Sequence, residues 1–185
     1  MNSELAKIND VYLQIQDSLY PPPGFLDIPE NQAGFFDRMK DAKVIYQKMV
    51  KKLEKVVSKL SSQDIIDGYK SGCRLLQSNL SGYMYEDFRK EYVPVMLEAI
   101  TNDHVHTTHI FFRALVMHAP EVKGELKPLV IKALKSKHVS VVHAALSSAY
   151  QLRLDDALPI IKELANHTDG VTTEMATNIL LDWVK

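Results

Sequence analysis

Residues 127–150, KPLVIKALKSKHVSVVHAALSSAY, repeat the pattern of residues 93–116, VPVMLEAITNDHVHTTHIFFRALV. Each stretch has a proline near its start, a short apolar helical pattern, a polar turn that ends in His-Val, and a second apolar helical pattern. A pattern that recurs at a fixed spacing is typical of repeat proteins, in which each copy is one supersecondary unit. The two stretches therefore predict two consecutive helix pairs of the same kind.

A third copy follows towards the C-terminus. The three prolines lie 34 and then 31 residues apart, at Pro94, Pro128 and Pro159. The valines that open the second helices follow these prolines by 11, 11 and 12 residues, at Val105, Val139 and Val171. The last turn holds one extra residue, for which Gly170 is the natural position. One helix pair has too little apolar surface to fold alone, so neighbouring pairs must stack to complete a core.

These features resemble the HEAT-repeat family over residues 91–185. The resemblance rests on the three prolines, the three valines, the turn aspartates Asp103 and Asp169, and small residues in the second helices such as Ala144 and Ala176. The chain departs from the family pattern at Lys137, which replaces the turn aspartate. It departs again at His106, Ser140 and Thr172, which replace the arginine that usually follows the valine.

The resemblance implies an all-α fold, a short right-handed solenoid of helical hairpins with an N-terminal helical cap. Proteins of this family most often serve as protein-binding scaffolds, and the second helix of each pair generally lines the concave face. Carried over to this chain, that face would present His106, Arg113, Ser147 and Gln151, which we take as the first candidate partner-binding residues.

The N-terminal half predicts further helices without a clear repeat. Ser3 is a suitable cap for a helix over residues 4–19, which the prolines of YPPPGF (20–25) would end. A long helical pattern covers residues 32–60, and Ser61 or Ser62 would cap the next helix, expected to fade at residues 78–82. We assign residues 1–90 to an N-terminal helical segment and 91–185 to three helix pairs, within what we expect to be one domain.

Lysines follow one side of the long helical pattern. Five of them have helical spacing and define what we call the lysine face: Lys48, Lys51, Lys52, Lys55 and Lys59. A solvated helix surface is one interpretation, and a docking surface for an acidic protein or a nucleic acid is the other. Few aromatic residues interleave with these lysines and arginine is scarce, which makes base readout or base stacking a weak hypothesis.

The amino-acid composition limits the classes of protein to which the chain can belong. The 22 basic and 23 acidic residues nearly cancel, so no global charge attracts nucleic acid or a membrane. Cys73 is the single cysteine and forms no internal disulfide. The N-terminus lacks the pattern of a signal peptide, and no apolar run reaches the roughly 18 residues that span a bilayer. We expect a soluble cytoplasmic protein.

No catalytic or metal-binding signature is recognisable. The seven histidines lie between residues 104 and 167, and HVHTTH (104–109) is the densest cluster, but it lacks the spacing of known zinc motifs. His109 and His143 occupy the same repeat position, so they either bridge groups at the hairpin interface or form a pH-sensitive surface. We expect no metal, no cofactor and no enzymatic activity.

Two function hypotheses remain. The first is a non-catalytic protein-binding repeat protein, specifically an immunity protein that neutralises a bacterial toxin by covering its active or substrate-binding surface. The alternative is a nucleic-acid-binding or DNA-repair protein, because some bacterial HEAT-like proteins excise alkylated bases. That alternative would be expected to use a strongly basic concave face, whereas the charge here is balanced.

Overall fold

The computed structural model describes residues 1–102 and 104–183, except for the side chains of residues 29 and 30, and within this part it is helical without strands. The chain divides into two compact units, Met1–Ser81 and Gly82–Lys185. The α-helices are α1 Ser3–Leu19, α2 Pro29–Gln32, α3 Phe35–Val57, α4 Ser62–Ser71, α5 Arg74–Glu86, α6 Val93–Thr101, α7 Val105–His118, α8 Lys123–Ala133, α9 Val139–Leu152, α10 Leu158–Leu164 and α11 Gly170–Trp183. Short 3₁₀ turns occupy Phe25–Asp27, Lys90–Tyr92, Pro120–Val122 and Asp155–Ala157. The all-α prediction is confirmed.

The core of the first unit forms where α1 lies along α3. Leu5, Ile8 and Tyr12 project from one side of α1 and are fully buried. Asn2 caps this helix by accepting a hydrogen bond from the Glu4 amide at 2.9 Å, so the predicted Ser3 cap is wrong by one residue. Asn and Ser are both strong caps, and helix ends are the least certain part of a sequence-based assignment.

The junction between α4 and α5 differs from the sequence-based expectation. Ser61, one of the two predicted caps, starts α4 in a reciprocal capping arrangement with Asp64. The chain then breaks at Gly72, and Asn9 Oδ1 accepts a hydrogen bond from the Cys73 amide at 2.7 Å, which satisfies a donor at the break. The helix expected to fade at residues 78–82 instead continues to Glu86, because burial of leucines on α5 outweighs the weak helix propensity of SNLSG.

The second unit consists of three consecutive helix pairs. Each pair packs its own two helices together, α6 with α7, α8 with α9, and α10 with α11, and the second helices also pack on one another, α7 with α9 and α9 with α11. Val105 and Val139 open α7 and α9 as predicted, whereas α11 begins one residue before Val171, at Gly170. These contacts are those that stacked pairs require, and the right-handed HEAT-like solenoid stays a prediction.

The repeated prolines occupy two kinds of position. Pro94 and Pro159 lie in the first turn of their helices, where a missing amide donor costs nothing. Pro128 instead lies inside α8, because that helix already begins at Lys123, directly after the 3₁₀ turn. The expectation that all three prolines mark helix starts is therefore wrong for the second pair. Asp103, one of the predicted turn aspartates, lies outside the described residues.

Across residues 1–102 and 104–183, no helix is both long enough and apolar enough to pass through a bilayer.

Gly68 lies where side chains of α1 and α5 pack closely against α4. A Cβ added there would lie 2.6 Å from Leu5 Cδ1 and 3.2 Å from Leu80 Cδ1, and both leucines are fully buried. We expect Gly68→Val to lower the free energy of unfolding by about 1–3 kcal/mol, because overpacked side chains cannot relax in a dense core. Urea unfolding followed by far-UV circular dichroism measures the change.

Gly124→Val is the matched control, since no atom lies within 4 Å of a Cβ built at that helical glycine. Its unfolding midpoint should stay close to that of the wild type. Equal midpoints for the two valine variants would show that α1, α4 and α5 are not packed as described.

Candidate functional site

The predicted partner-binding residues of the second helices lie on α7 and α9. Arg113, Ser147 and Gln151 are exposed and His106 is half-buried. Ser147 and Gln151 are one helical turn apart on α9, yet they line different depressions. The His106 ring lies parallel to the His104 ring with centroids 6.3 Å apart. The four residues therefore do not converge on one site.

Arg113 is held by aromatic residues of its own unit. Its guanidinium lies 5.1 Å from the centre of the Tyr85 ring, a cation–π distance. The Tyr85 hydroxyl in turn donates to Met117 Sδ at 3.5 Å, and the His118 ring stacks on Phe88 with centroids 5.2 Å apart. This arrangement fixes the end of α5 against α7, so Arg113 is less available to a partner than its exposure suggests.

A groove between α9 and α11 is the main candidate binding site in the second unit. Its volume is about 420 Å³, and its walls come from the facing parts of the two helices: Ser147, Tyr150, Met175, Asn178, Ile179 and Asp182. Ser147 was predicted as an interface residue. The other five were missed, because the third repeat was recognised from its start while the groove is formed along the length of α11.

Tyr150 closes one end of this groove. The ring is 42% exposed, and its hydroxyl donates a 2.7 Å hydrogen bond to Asp182 Oδ2 on α11. This hydrogen bond to the carboxylate raises the pKa of the Tyr150 phenol, so the hydroxyl remains a donor. The ring is consequently held in one orientation before any partner arrives.

His143 lies about two helical turns before Tyr150 on α9 and links α9 to the start of α11. Its Nε2 lies 3.2 Å from Asp169 Oδ2 and 3.0 Å from Thr172 Oγ1. A carboxylate only accepts hydrogen bonds, so the contact requires the proton on Nε2. The hypothesis that His143 bridges a group at the interface between helix pairs is confirmed.

Asp169 also caps α11. Its Oδ2 accepts hydrogen bonds from the amide and the hydroxyl of Thr172, both at 2.8 Å. The hydrogen bond from the Thr172 amide has the largest effect on the Asp169 carboxyl, followed by those from the Thr172 hydroxyl and His143. Together they lower its pKa from the ordinary value of 3.8. One carboxylate thus starts α11 and ties it to α9.

His109 has a different environment from His143, although both share a repeat position. Partial burial lowers the pKa of the His109 imidazole, which favours its neutral form. The next turn along the chain carries Lys137 where the turn beyond His143 carries Asp169. A lysine cannot accept a hydrogen bond from imidazole, so the His143 bridge has no equivalent acceptor at that turn position.

The lysine face lies on the exposed side of α3 and in the residues just after it. Lys48, Lys52, Lys55 and Lys59 are all exposed, and Lys52 Nζ is 4.0 Å from Glu4 Oε2. An exposed pair at this distance contributes little to stability. The helical spacing that predicted the face is therefore correct, while its role as a docking surface stays a prediction.

In the part of the chain that the structure describes, no three His, Cys, Asp or Glu side chains form a group able to hold a metal ion.

The fold and these surfaces define the chain as an all-helical protein whose second unit presents a groove between neighbouring helix pairs. No family model, no curated protein and no solved structure matches this chain, so the comparisons identify no family, HEAT-repeat or other. Inferences about function therefore rest on the chemistry of the surfaces.

The tie between His143 and Asp169 predicts a pH-dependent contribution to stability. A carboxyl whose pKa is lowered in the folded state stabilises it fully above the unfolded pKa, and the contribution disappears as the pH falls through the lowered value. We expect Asp169→Asn to unfold at lower temperature than the wild type at pH 7. The difference should shrink as the pH falls below about 3.8.

His143→Ala should also lower the melting temperature at pH 7, because it removes the contact from α9. His109→Ala, at the equivalent repeat position, is the control and should have a smaller effect. Thermal unfolding monitored at several pH values measures all three variants. A constant difference between wild type and Asp169→Asn from pH 7 to pH 3 would contradict the tie.

Proposed function

We propose that this chain is a non-catalytic helical-repeat protein that binds another protein through the groove between α9 and α11. The observation that supports this most directly is the half-exposed Tyr150 ring, fixed by its hydrogen bond to Asp182 at the edge of that groove. Tyrosine is enriched among the residues that dominate binding energy at protein interfaces. A fixed ring loses little conformational freedom when a partner binds.

The groove has the composition of an interface centre. Met175 and Ile179 supply apolar surface, while Ser147 and Asn178 supply hydrogen-bonding groups beside it. Interfaces commonly combine an apolar centre with a polar surround. A side chain of the partner would enter between the two helices and contact the Tyr150 ring, and the outer groups would satisfy its polar neighbours.

The specific form of the proposal is an immunity protein that neutralises a bacterial toxin. Inhibition would follow from occlusion, since a surface that covers the active or substrate-binding face of an enzyme needs no chemistry of its own. The groove supports this form, because its fixed Tyr150 ring and adjoining apolar side chains offer a preformed surface for such contact.

Nucleic-acid binding is the alternative, and the lysine face is the feature that favours it. Eight basic residues and two acidic ones lie between Arg38 and Lys59, a local excess of positive charge in a chain that is otherwise acidic. Binding of this kind would weaken steeply with salt, because it releases counterions from the phosphate backbone.

The test is affinity purification from the native host with wild-type protein and two matched variants. We expect the wild type to retain one stoichiometric protein, and Tyr150→Ala to lose about tenfold or more in affinity for it, as is usual for a tyrosine that anchors an interface. Tyr20→Ala is the control, because Tyr20 is also half-exposed but lies after α1. Calorimetry with the purified partner gives the affinities.

A toxin whose activity is restored when Tyr150→Ala replaces the wild-type protein would support the immunity form. Equal losses for Tyr150→Ala and Tyr20→Ala would remove the groove from the proposal. Salt-sensitive recovery of nucleic acid, lost when Lys48, Lys52 and Lys55 are changed to glutamine, would favour the alternative.

A further inference from the structure

A second cavity lies at the opposite end of α9, between the first two helix pairs. Its volume is about 470 Å³, and four elements and one turn contribute to its wall: Ile100, Thr108, Leu129, Lys132, Ala133, Lys135, Ser136, Lys137 and Val141. Val141 and Ser147 are six residues apart, which separates the cavity from the groove by about 9 Å along α9. The two features are therefore distinct.

The floor of this cavity is apolar and rigid. Ile100, Ala133 and Val141 are buried in the packed helices, and Leu129 adds a partly exposed side chain. Buried residues of this kind belong to the dense interior, so they present a fixed surface. Contact with them removes apolar ligand surface from water, the main source of affinity for small ligands in such cavities.

The rim of the cavity is positively charged. Lys132, Lys135 and Lys137 all contribute to its wall, and none of the lining residues within the described ranges 1–102 and 104–183 is acidic. Lys132 Nζ donates a 3.1 Å hydrogen bond to the carbonyl of Thr101, the residue that follows Ile100 of the cavity wall. Charged groups next to low-dielectric walls interact more strongly with a ligand than they would in open water.

The lysines of the rim come from one short stretch of the sequence. Lys137 stands at the turn position where the first and third pairs carry Asp103 and Asp169. Residues 123–137 hold five lysines and one acidic residue, Glu125, although the chain as a whole is slightly acidic. The positive charge is thus concentrated in the helix pair that forms one side of the cavity.

We propose that this cavity binds a small organic anion with a compact apolar body, such as a medium-chain carboxylate. The body would contact Ile100, Leu129 and Val141, and the carboxylate would lie among the three lysine ammonium groups. The volume falls within the ordinary range for small-molecule sites, roughly 300–1,000 Å³. A concave site of this size favours a small ligand over an extended acidic peptide.

The test is a titration of the ¹⁵N-labelled full chain with octanoate, followed by amide NMR shifts. We expect saturable shifts centred on residues 129–141, with octanoate binding at least about tenfold more tightly than octan-1-ol, which lacks the charge. Acetate, which lacks the apolar body, and octylamine, which has the opposite charge, should produce no saturable shifts there.

The triple variant K132Q/K135Q/K137Q should weaken octanoate binding by about tenfold or more, because the charge-assisted contacts are lost. These side chains are exposed, so the variant is expected to fold normally. The matched control K48Q/K51Q/K55Q removes the same charge from the lysine face and should bind octanoate as the wild type does.

Several outcomes would overturn the proposal. These are the absence of saturable shifts with octanoate, equal binding of octan-1-ol, or equal weakening by the two triple variants. Tighter binding of a capped acidic peptide at the same amides would assign the cavity to a protein segment instead. The Tyr150 groove is not altered in these variants, so failure here leaves the proposed protein-binding function to its own test.

Discussion

The packing of the second helices against one another is the interaction on which the second unit depends. Small residues make it possible: Ala114 on α7, and Ala145, Ser148 and Ala149 on α9, are all buried. Without long side chains at these positions the helices can approach closely, and each pair covers the apolar surface that its neighbour leaves open. The groove lies between two of these second helices, α9 and α11.

The sequence alone predicted the helix starts that depend on a local pattern of residues. The spacing of Val105 and Val139 located the starts of α7 and α9, and Ser61 located the start of α4. The course of α5 was mispredicted because SNLSG has weak helix propensity, whereas its leucines are buried by distant residues. Burial by residues from other parts of the chain cannot be recognised in a short stretch of sequence.

The candidate sites were less predictable than the fold, for the same reason. Ser147 was identified from its repeat position, but its neighbours in the groove come from a helix about 30 residues further along the chain. His143 was identified as a bridging residue, yet its specific acceptor, Asp169, is 26 residues away. Repeat register indicates which positions correspond, and the side-chain contacts across pairs depend on the chemistry at each position.

The interface between α9 and α11 shows how that chemistry shapes a surface. His143 contacts Asp169 near one end and Tyr150 contacts Asp182 near the other, about 10 Å apart along α9, with Ser147 between them. Hydrogen bonds on either side of Ser147 thus link the two helices. At the preceding interface the corresponding residues are Lys137 in place of Asp169 and Val116 in place of Tyr150. Neither polar tie can form from those residues, and Lys137 instead contributes positive charge to the second cavity. Lys137 in place of the turn aspartate thus removes one helix-to-helix tie and adds one of the three lysines of the cationic rim.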